Sequence, residues 1–449
     1  MGEIRENKMG SAPMLKLILS MSLPAMFSML VQSLYNIVDS AFVAQLGEEA
    51  LTAVSLAFPI QMLIVSIGVG TGIGINSLVS RRLGEKKQEE ANSAATHGIV
   101  LGLFSSIIVA ILGILFTRRF FEGFTENKAI IDMGYSYIIV ITTMSFGSFI
   151  QINVEKTLQA TGNMIYPMIF QLTGAITNII LDPIMIFGLF GFPKLGISGA
   201  AIATVIGQIV AMLLSLYVVF KKSHAVHITF KGFRLNLKTI KNIYAVGFPS
   251  MVMQSIGSVL IVCLNSILIA FSDAAVSVLG IYYKLQSFVF MPVFGLTQGI
   301  MPILGYNYGA KNKHRLISAL KIGSVIAVII MFLGTILFMS IPDKLLMIFN
   351  ATSDMQEIGV KALRTISLCF VPAALGIVFS TLFQAVGHGH KSLFISALRQ
   401  LVVILPVAYV LSKVGLNYIW YSFPIAEVFA LIVSITIFTF LYKNTIKTL

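Results

Sequence analysis

Apolar residues run along this chain in blocks of about 20, separated by short polar stretches, from one end to the other. Each block is long enough to cross a hydrocarbon layer roughly 30 Å thick as an α-helix. A transmembrane barrel would show short segments of alternating polarity instead. About twelve blocks can be counted, centred near residues 28, 65, 105, 142, 175 and 208, then near 257, 290, 327, 370, 402 and 430. No polar stretch exceeds about 25 residues, so no sizeable soluble domain is expected. The pattern predicts an all-α, polytopic membrane protein.

The two sets of six blocks repeat one another. A constant offset of 225 aligns Pro24 with Pro249, Ala50 with Ala275, Gly70 with Gly295 and Gly74 with Gly299. The same offset aligns Gly84 with Gly309, Lys86 with Lys311, and Gln159, Ala160 and Gly162 with Gln384, Ala385 and Gly387. An even number of spans per copy makes both copies enter from the same side. An axis along the membrane normal should therefore relate them, a plan common among carriers. The expectation is two pseudo-symmetric six-helix lobes, residues 1–220 and 242–449, joined by a linker at 221–241, with a cavity in the cleft between them.

Composition sharpens this picture. Of 449 residues, 57% are hydrophobic and 11% charged, where a soluble domain carries about 25% charged. A net charge of +13 could suggest nucleic acid. The bases, however, fall in every second loop: Arg81, Arg82, Lys86 and Lys87, then 221–241, then Lys311, Lys313 and Arg315, with Lys443 and Lys447 in the tail. Intervening loops carry Glu48, Glu49 and Asp273, or mixed charge. This is the positive-inside pattern. It predicts both termini in the cytoplasm, a lipid bilayer as partner and no nucleic acid. The first apolar run contains Asp39 and no small-residue cleavage site, so it should be retained as a span. Cys263 and Cys369 sit in apolar runs and read as inert buried thiols.

Candidate chemistry begins at residues 172–204. Asn178 and Asp182 are four apart, hence on one helix face. Pro183 follows and frees the Ile179 carbonyl. A carboxylate at the centre of a bilayer costs roughly 2.5–3.5 kcal/mol, so Asp182 needs a proton, a metal cation or a partner. Asp39 lies in the first span among Gln32, Tyr35, Asn36 and Ser40. It either faces Asp182 or is hydrated near the outer mouth. In the second half Lys284, Arg399 and Glu427 lie deep in apolar runs. Glu427 should pair with Arg399 or Lys284, or the three should serve a substrate cavity. Glu155 and Lys156 suggest a gate or loop contact. Met29, Tyr35, Phe58, Met62 and Tyr137 are candidate cavity walls, where thioether and aromatic surfaces accept varied organic cations. The run Gly68–Gly74 lacks phosphate-loop spacing, and Gly70 and Gly74 fit close helix packing. His388 and His390 alone do not suggest a metal site.

Several motifs resemble those of the multidrug and toxic compound extrusion (MATE) transporters. They are YNIVDSAFVAQLGEEAL at 35–51, SRRLGEKKQEEA at 80–91, EKTLQATGN at 155–163, NIILDP, GISGAAIAT, GYNYGAKN at 305–312 and FQAVGHG at 383–389. The chain is most similar to the DinF-like and MepA-like bacterial members. The resemblance implies a monomeric, multi-pass antiporter of a bacterial cytoplasmic membrane, not an enzyme. It implies small organic substrates, cationic in character, exchanged for H+ or Na+, and no cofactor beyond that ion. It also implies Asp39, Asn178, Asp182 and Thr204 as cation-coupling positions, and thus as possible Na+ ligands. NorM-like members carry acids in the seventh and tenth helices, and this chain carries none there. An exporter of one endogenous metabolite and a lipid-linked precursor flippase share the architecture and stay open. An intramembrane aspartyl protease is disfavoured, because a duplicated bundle is unnecessary for proteolysis.

Overall fold

The computed structural model describes residues 7–449, and every regular element among them is a helix. The first half contains a short α1 (Lys8–Ser11), then α2 (Met14–Ala44), α3 (Glu48–Gly84), α4 (Gln88–Glu122), α5 (Lys128–Thr143), α6 (Phe146–Ala160), α7 (Ile165–Phe187) and α8 (Ile197–Lys221). The second half contains α9 (Leu237–Leu268), α10 (Asp273–Gly309), α11 (Lys313–Ser340), α12 (Pro342–Met347), α13 (Ser353–Ser367), α14 (Phe370–Ala385), α15 (Gly389–Ala397), α16 (Leu405–Ser412), α17 (Leu416–Ile419) and α18 (Ser422–Asn444). A π-helical turn, Leu398–Ile404, joins α15 to α16 within one span.

Ten helices are long and apolar enough to cross a membrane, and two bent pairs bring the total to as many as 12. The pairs are α5 with α6, bent by 46°, and α13 with α14, bent by 48°. They begin 225 residues apart, at Lys128 and Ser353, so the break belongs to the repeat. Backbone groups freed at a break need other partners. The Ser145 hydroxyl caps the Thr142 carbonyl at 2.8 Å, and in the second copy Thr335 Oγ1 donates to the Ser367 carbonyl at 3.1 Å.

Contacts divide the chain into two compact units. One is Phe27–Met251; the other combines residues 7–26 with Val252–Leu449. The dividing points fall inside α2 and α9, each two residues past a repeat proline, Pro24 or Pro249. They do not coincide with the loop at 221–241. In the Phe27–Met251 unit, that loop is docked on α4: His97 Nε2 accepts from the Asn236 N–H at 2.9 Å, and Asn92 Oδ1 from the His227 N–H at 2.9 Å. Uniform hydrophobicity along α2 and α9 hides the change of packing partner.

The repeat glycines explain how those helix halves are seated. A Cβ on Gly74 of α3 would collide with the Ile243 carbonyl of α9, and one on Gly247 would lie 3.0 Å from the Gly70 carbonyl. In the other unit, a Cβ on Gly299 of α10 would strike Ser22 of α2, and one on Gly295 would lie 2.6 Å from Met26 Cα. Small residues thus let backbones touch where hydrophobic driving force between helices is weak. Gly72 opens the other side of α3, where its Cβ would lie 2.6 Å from Lys156 Cγ.

Gly74→Ala is expected to destabilise the purified protein by about 1–3 kcal/mol through overpacking. Gly280→Ala on α10, where an added Cβ meets nothing within 4 Å, should be neutral or stabilising by up to about 1 kcal/mol. Thermal unfolding in detergent separates the two; equal behaviour would refute the seating role.

Candidate functional site

The four residues singled out on α2, α7 and α8 come together inside the Phe27–Met251 unit. Helix α7 runs unbroken through Pro183 and presents Asn178 and Asp182 on its buried side, at 2% and 0% exposure. Asn178 Nδ2 donates to Asp182 Oδ1 at 3.3 Å and to Thr204 Oγ1 at 3.2 Å, so one amide ties α7 to α8. Glycine permits the approach: a Cβ on Gly207 would sit 2.7 Å from the Gly174 carbonyl and 3.3 Å from Asn178 Cβ. Beyond Pro183 the turn is pinned, with Leu195 N–H donating to the Met185 carbonyl at 3.0 Å and Gly196 N–H to Ile186 at 3.2 Å.

From α2, the Asp39 carboxyl lies close to Asp182, and the Tyr35 hydroxyl lies close to Thr204. Tyr35 and Asp39 are one turn apart on α2, so the contacts close a ring: Asp39, Asp182, Asn178, Thr204, Tyr35. Two facing carboxyls are stable in a low dielectric only if a proton or a cation lies between them. Three buried oxygens of the ring accept no hydrogen bond: Asp39 Oδ1, Asn178 Oδ1 and Asp182 Oδ2. Each unsatisfied acceptor costs about 1–3 kcal/mol. A set of carboxylate, amide and hydroxyl oxygens suits a hard cation, and the acid pair equally suits a proton. The described residues hold no group of three or more His, Cys, Asp or Glu side chains placed to bind a metal ion.

An apolar wall supports the ring. Phe42 of α2 packs edge-on against Phe187 of α7, ring centres 6.2 Å apart, beside buried Tyr137, Ile138, Ile186 and Ala200. The Tyr137 hydroxyl accepts from Gln61 Nε2 at 2.9 Å. Of the other proposed cavity residues in this unit, Met29 is half-buried, while Phe58 and Met62 are exposed. The link from Tyr35 to Thr204 was not foreseen from the sequence, although the four-residue spacing from Asp39 carries the signal.

Glu155 and Lys156 lie near the C-terminal end of α6, and both are buried. Glu155 Oε1 accepts from Gln171 Nε2 at 2.8 Å and Gln159 Nε2 at 3.0 Å, and Lys156 Nζ donates to Gln159 Oε1 at 3.0 Å. Gln151 Nε2 also donates to Glu155 Oε2 at 3.5 Å; neither Gln151 nor Gln171 was singled out from the sequence, because an amide in a span announces no partner.

In the other unit Glu427 of α18 pairs with Arg399, Nη1 to Oε1, at 2.8 Å. Lys284 is exposed and lies 5.8 Å from the Phe349 ring centre. Of the two cations the sequence offered to Glu427, Arg399 is the partner, and Lys284 lies elsewhere.

The MatE sequence profile matches residues 24–184 and 249–410. The chain belongs to the MatE family. The two matched stretches begin 225 residues apart, as the repeat requires. MatE relatives include the multidrug export protein MepA of Staphylococcus saprophyticus, 27% identical over 90% of this chain and 89% of that protein. The FAD transporter of Shewanella oneidensis is 26% identical over 89% of this chain and 88% of its own. Among solved structures, the outward-facing conformation of a multidrug resistance MATE family transporter of the MOP superfamily superposes with a TM-score of 0.92, at 28% identity and 99% coverage of both chains. This MatE protein is a membrane transporter and not an enzyme.

Removing one member of the Arg399–Glu427 pair should cost more than removing both. Glu427→Ala leaves a half-buried guanidinium unpaired and should cost about 3 kcal/mol, the lower end for a broken pair; the double variant Arg399→Met with Glu427→Leu should be near neutral. Thermal melts of the parent, single and double variants check this. A double variant at least as unstable as the single would refute simple pairing.

Proposed function

We propose that this MatE protein is a secondary antiporter of a bacterial cytoplasmic membrane, with both termini inside. It exports amphipathic, cationic organic compounds in exchange for H+ or Na+, works as a monomer and needs no cofactor beyond the coupling ion. The observation that carries this reading is the trio of unsatisfied buried oxygens on Asp39, Asn178 and Asp182. Oxygen acceptors without donors, on two facing acids, are what a proton or an alkali cation would bind. Asp39, Asn178, Asp182 and Thr204 are the coupling residues in this reading, with Tyr35 holding Thr204.

Binding of the ion removes the repulsion between the acids and draws α2 toward α7; its release reverses this. Helix α2 is free to respond at Pro24, where the Ser20 carbonyl loses its helical donor. Alternating access then follows from two states that differ in ion occupancy. A membrane potential of 100 mV supplies about 2.3 kcal/mol per charge, roughly fiftyfold accumulation. The name of the Staphylococcus relative supports drug export. The Shewanella relative favours a second reading, export of an anionic metabolite such as FAD.

Efflux from vesicles under imposed pH or Na+ gradients tests both readings. Asp39→Asn and Asp182→Asn should each slow gradient-driven efflux of a cationic dye by about tenfold or more. Undiminished efflux in both variants removes the coupling site. Efflux of FAD but of no cationic dye selects the second reading.

A further inference from the structure

The loops that follow Gly84 and Gly309 are conformational twins. Lys86 and Lys311 both adopt left-handed backbone, at φ 59° and 55°. Three backbone hydrogen bonds recur at the 225 offset: Glu85 to Arg81, Lys86 to Leu83 and Lys87 to Arg82 in one, Ala310 to Tyr306, Lys311 to Tyr308 and Asn312 to Asn307 in the other. The fold is the same, yet the charge is not.

The first loop neutralises itself. Arg82 bonds Glu85 and, at 2.9 Å, Glu90, and Lys87 lies 3.0 Å from Glu85. Burial pushes the Glu85 carboxyl up, but hydrogen bonds from Lys87 and Arg82 outweigh this and hold it below the usual glutamate value. Over residues 81–96 there are four bases and three acids. Over the twin stretch 306–321 there are four bases, Lys311, Lys313, Arg315 and Lys321, and no acid. Ala310 and Arg315 stand where Glu85 and Glu90 stand. Arg315 is occupied, donating to the Met9 and Ala12 carbonyls at 3.1 and 2.8 Å. Among the described residues, no Asp or Glu forms an ion pair with the three lysines.

Those lysines line a pocket of about 860 Å³ with Lys447, at the ends of the spanning helices α11 and α18. Among the described residues, no Asp or Glu side chain lines it. Lys313 Nζ reaches the Lys447 carbonyl at 3.4 Å and lies 5.7 Å from the Tyr442 ring centre. Ile317 and Tyr442 add apolar surface beside the charges. Basic, partly apolar pockets at helix ends are suited to acidic lipid head groups.

We propose that the pocket of Lys311, Lys313, Lys321 and Lys447 binds a phosphate-bearing anion, supplied by the head group of an acidic membrane lipid. The lysines hold the phosphate as point charges, and Ile317 and Tyr442 lie along the lipid's apolar part. The site is separate from the Asp39–Asp182 ring and does not rest on the transport reading.

Native mass spectrometry of the full chain in detergent, titrated with phosphatidylglycerol, phosphatidylcholine or inorganic phosphate, tests this. The parent should bind phosphatidylglycerol in preference to phosphatidylcholine. The variant K311Q/K313Q/K321Q should bind phosphatidylglycerol ten- to a hundredfold more weakly, on the order expected for three interfacial charges. A310E, which restores the missing acid at an exposed position, should weaken it as well. K86Q, the twin of K311Q, should not. Competition by millimolar inorganic phosphate supports the anion site but assigns it to a soluble phosphate. Equal phosphatidylglycerol binding by parent, triple variant and A310E overturns the proposal.

Discussion

Two acids face each other in the interior of a helical membrane unit, and neither has a basic partner in the ring around it. That constraint organises the Phe27–Met251 unit. Asn178 spends its two amide hydrogens on Asp182 and Thr204, which leaves its oxygen, and one oxygen on each acid, without a donor. A site that lacks donors but not acceptors is poised for a positive species. The glycines at 174 and 207 exist at backbone contact so that α7 and α8 can share this cluster. The second unit solves the same problem differently: Glu427 has Arg399, and the charge is cancelled inside the protein. The Asp39–Asp182 pair therefore keeps a chargeable site, while Glu427 has a permanent counter-charge.

The repeat is mechanical as well as historical. Pro24 and Pro249, and the glycines facing Ser22, Met26, Ile243 and Gly247, place a weak point and a close seat at equivalent positions in α2 and α9. Each of these helices is packed in one unit over its first half and in the other over its second. The proline weakens the helix where its packing environment changes, so bending there disrupts few backbone hydrogen bonds.

Much of this was legible in the sequence. Twelve apolar blocks, the 225 offset and the pair Asn178/Asp182 follow from spacing alone, and the resemblance pointed to Asp39 and Thr204. Other features were not. The breaks after Thr143 and Ser367 carry no proline or charge at the bend itself, and averaged hydropathy does not register a 46° or 48° bend. The exchange of helix halves leaves no trace in polarity, because both environments are apolar. The partner of Glu427 stayed open because Arg399 and Lys284 both sit in apolar runs, and only the fold brings Arg399 to it. In the network around Glu155, Gln151 and Gln159 flank it at four-residue spacing on α6, but nothing in the sequence marks Gln171 of α7 as belonging with them.

The account rests on one pair of carboxyls alternating between a proton-bearing or cation-bearing state and an empty one. Infrared difference spectroscopy of the purified protein, titrated with base or with Na+, observes this directly through the carbonyl band of a protonated carboxyl. The account predicts that such a band is lost on titration in the parent and is missing from the Asp39→Asn, Asp182→Asn double variant. Identical difference spectra from parent and double variant would contradict it.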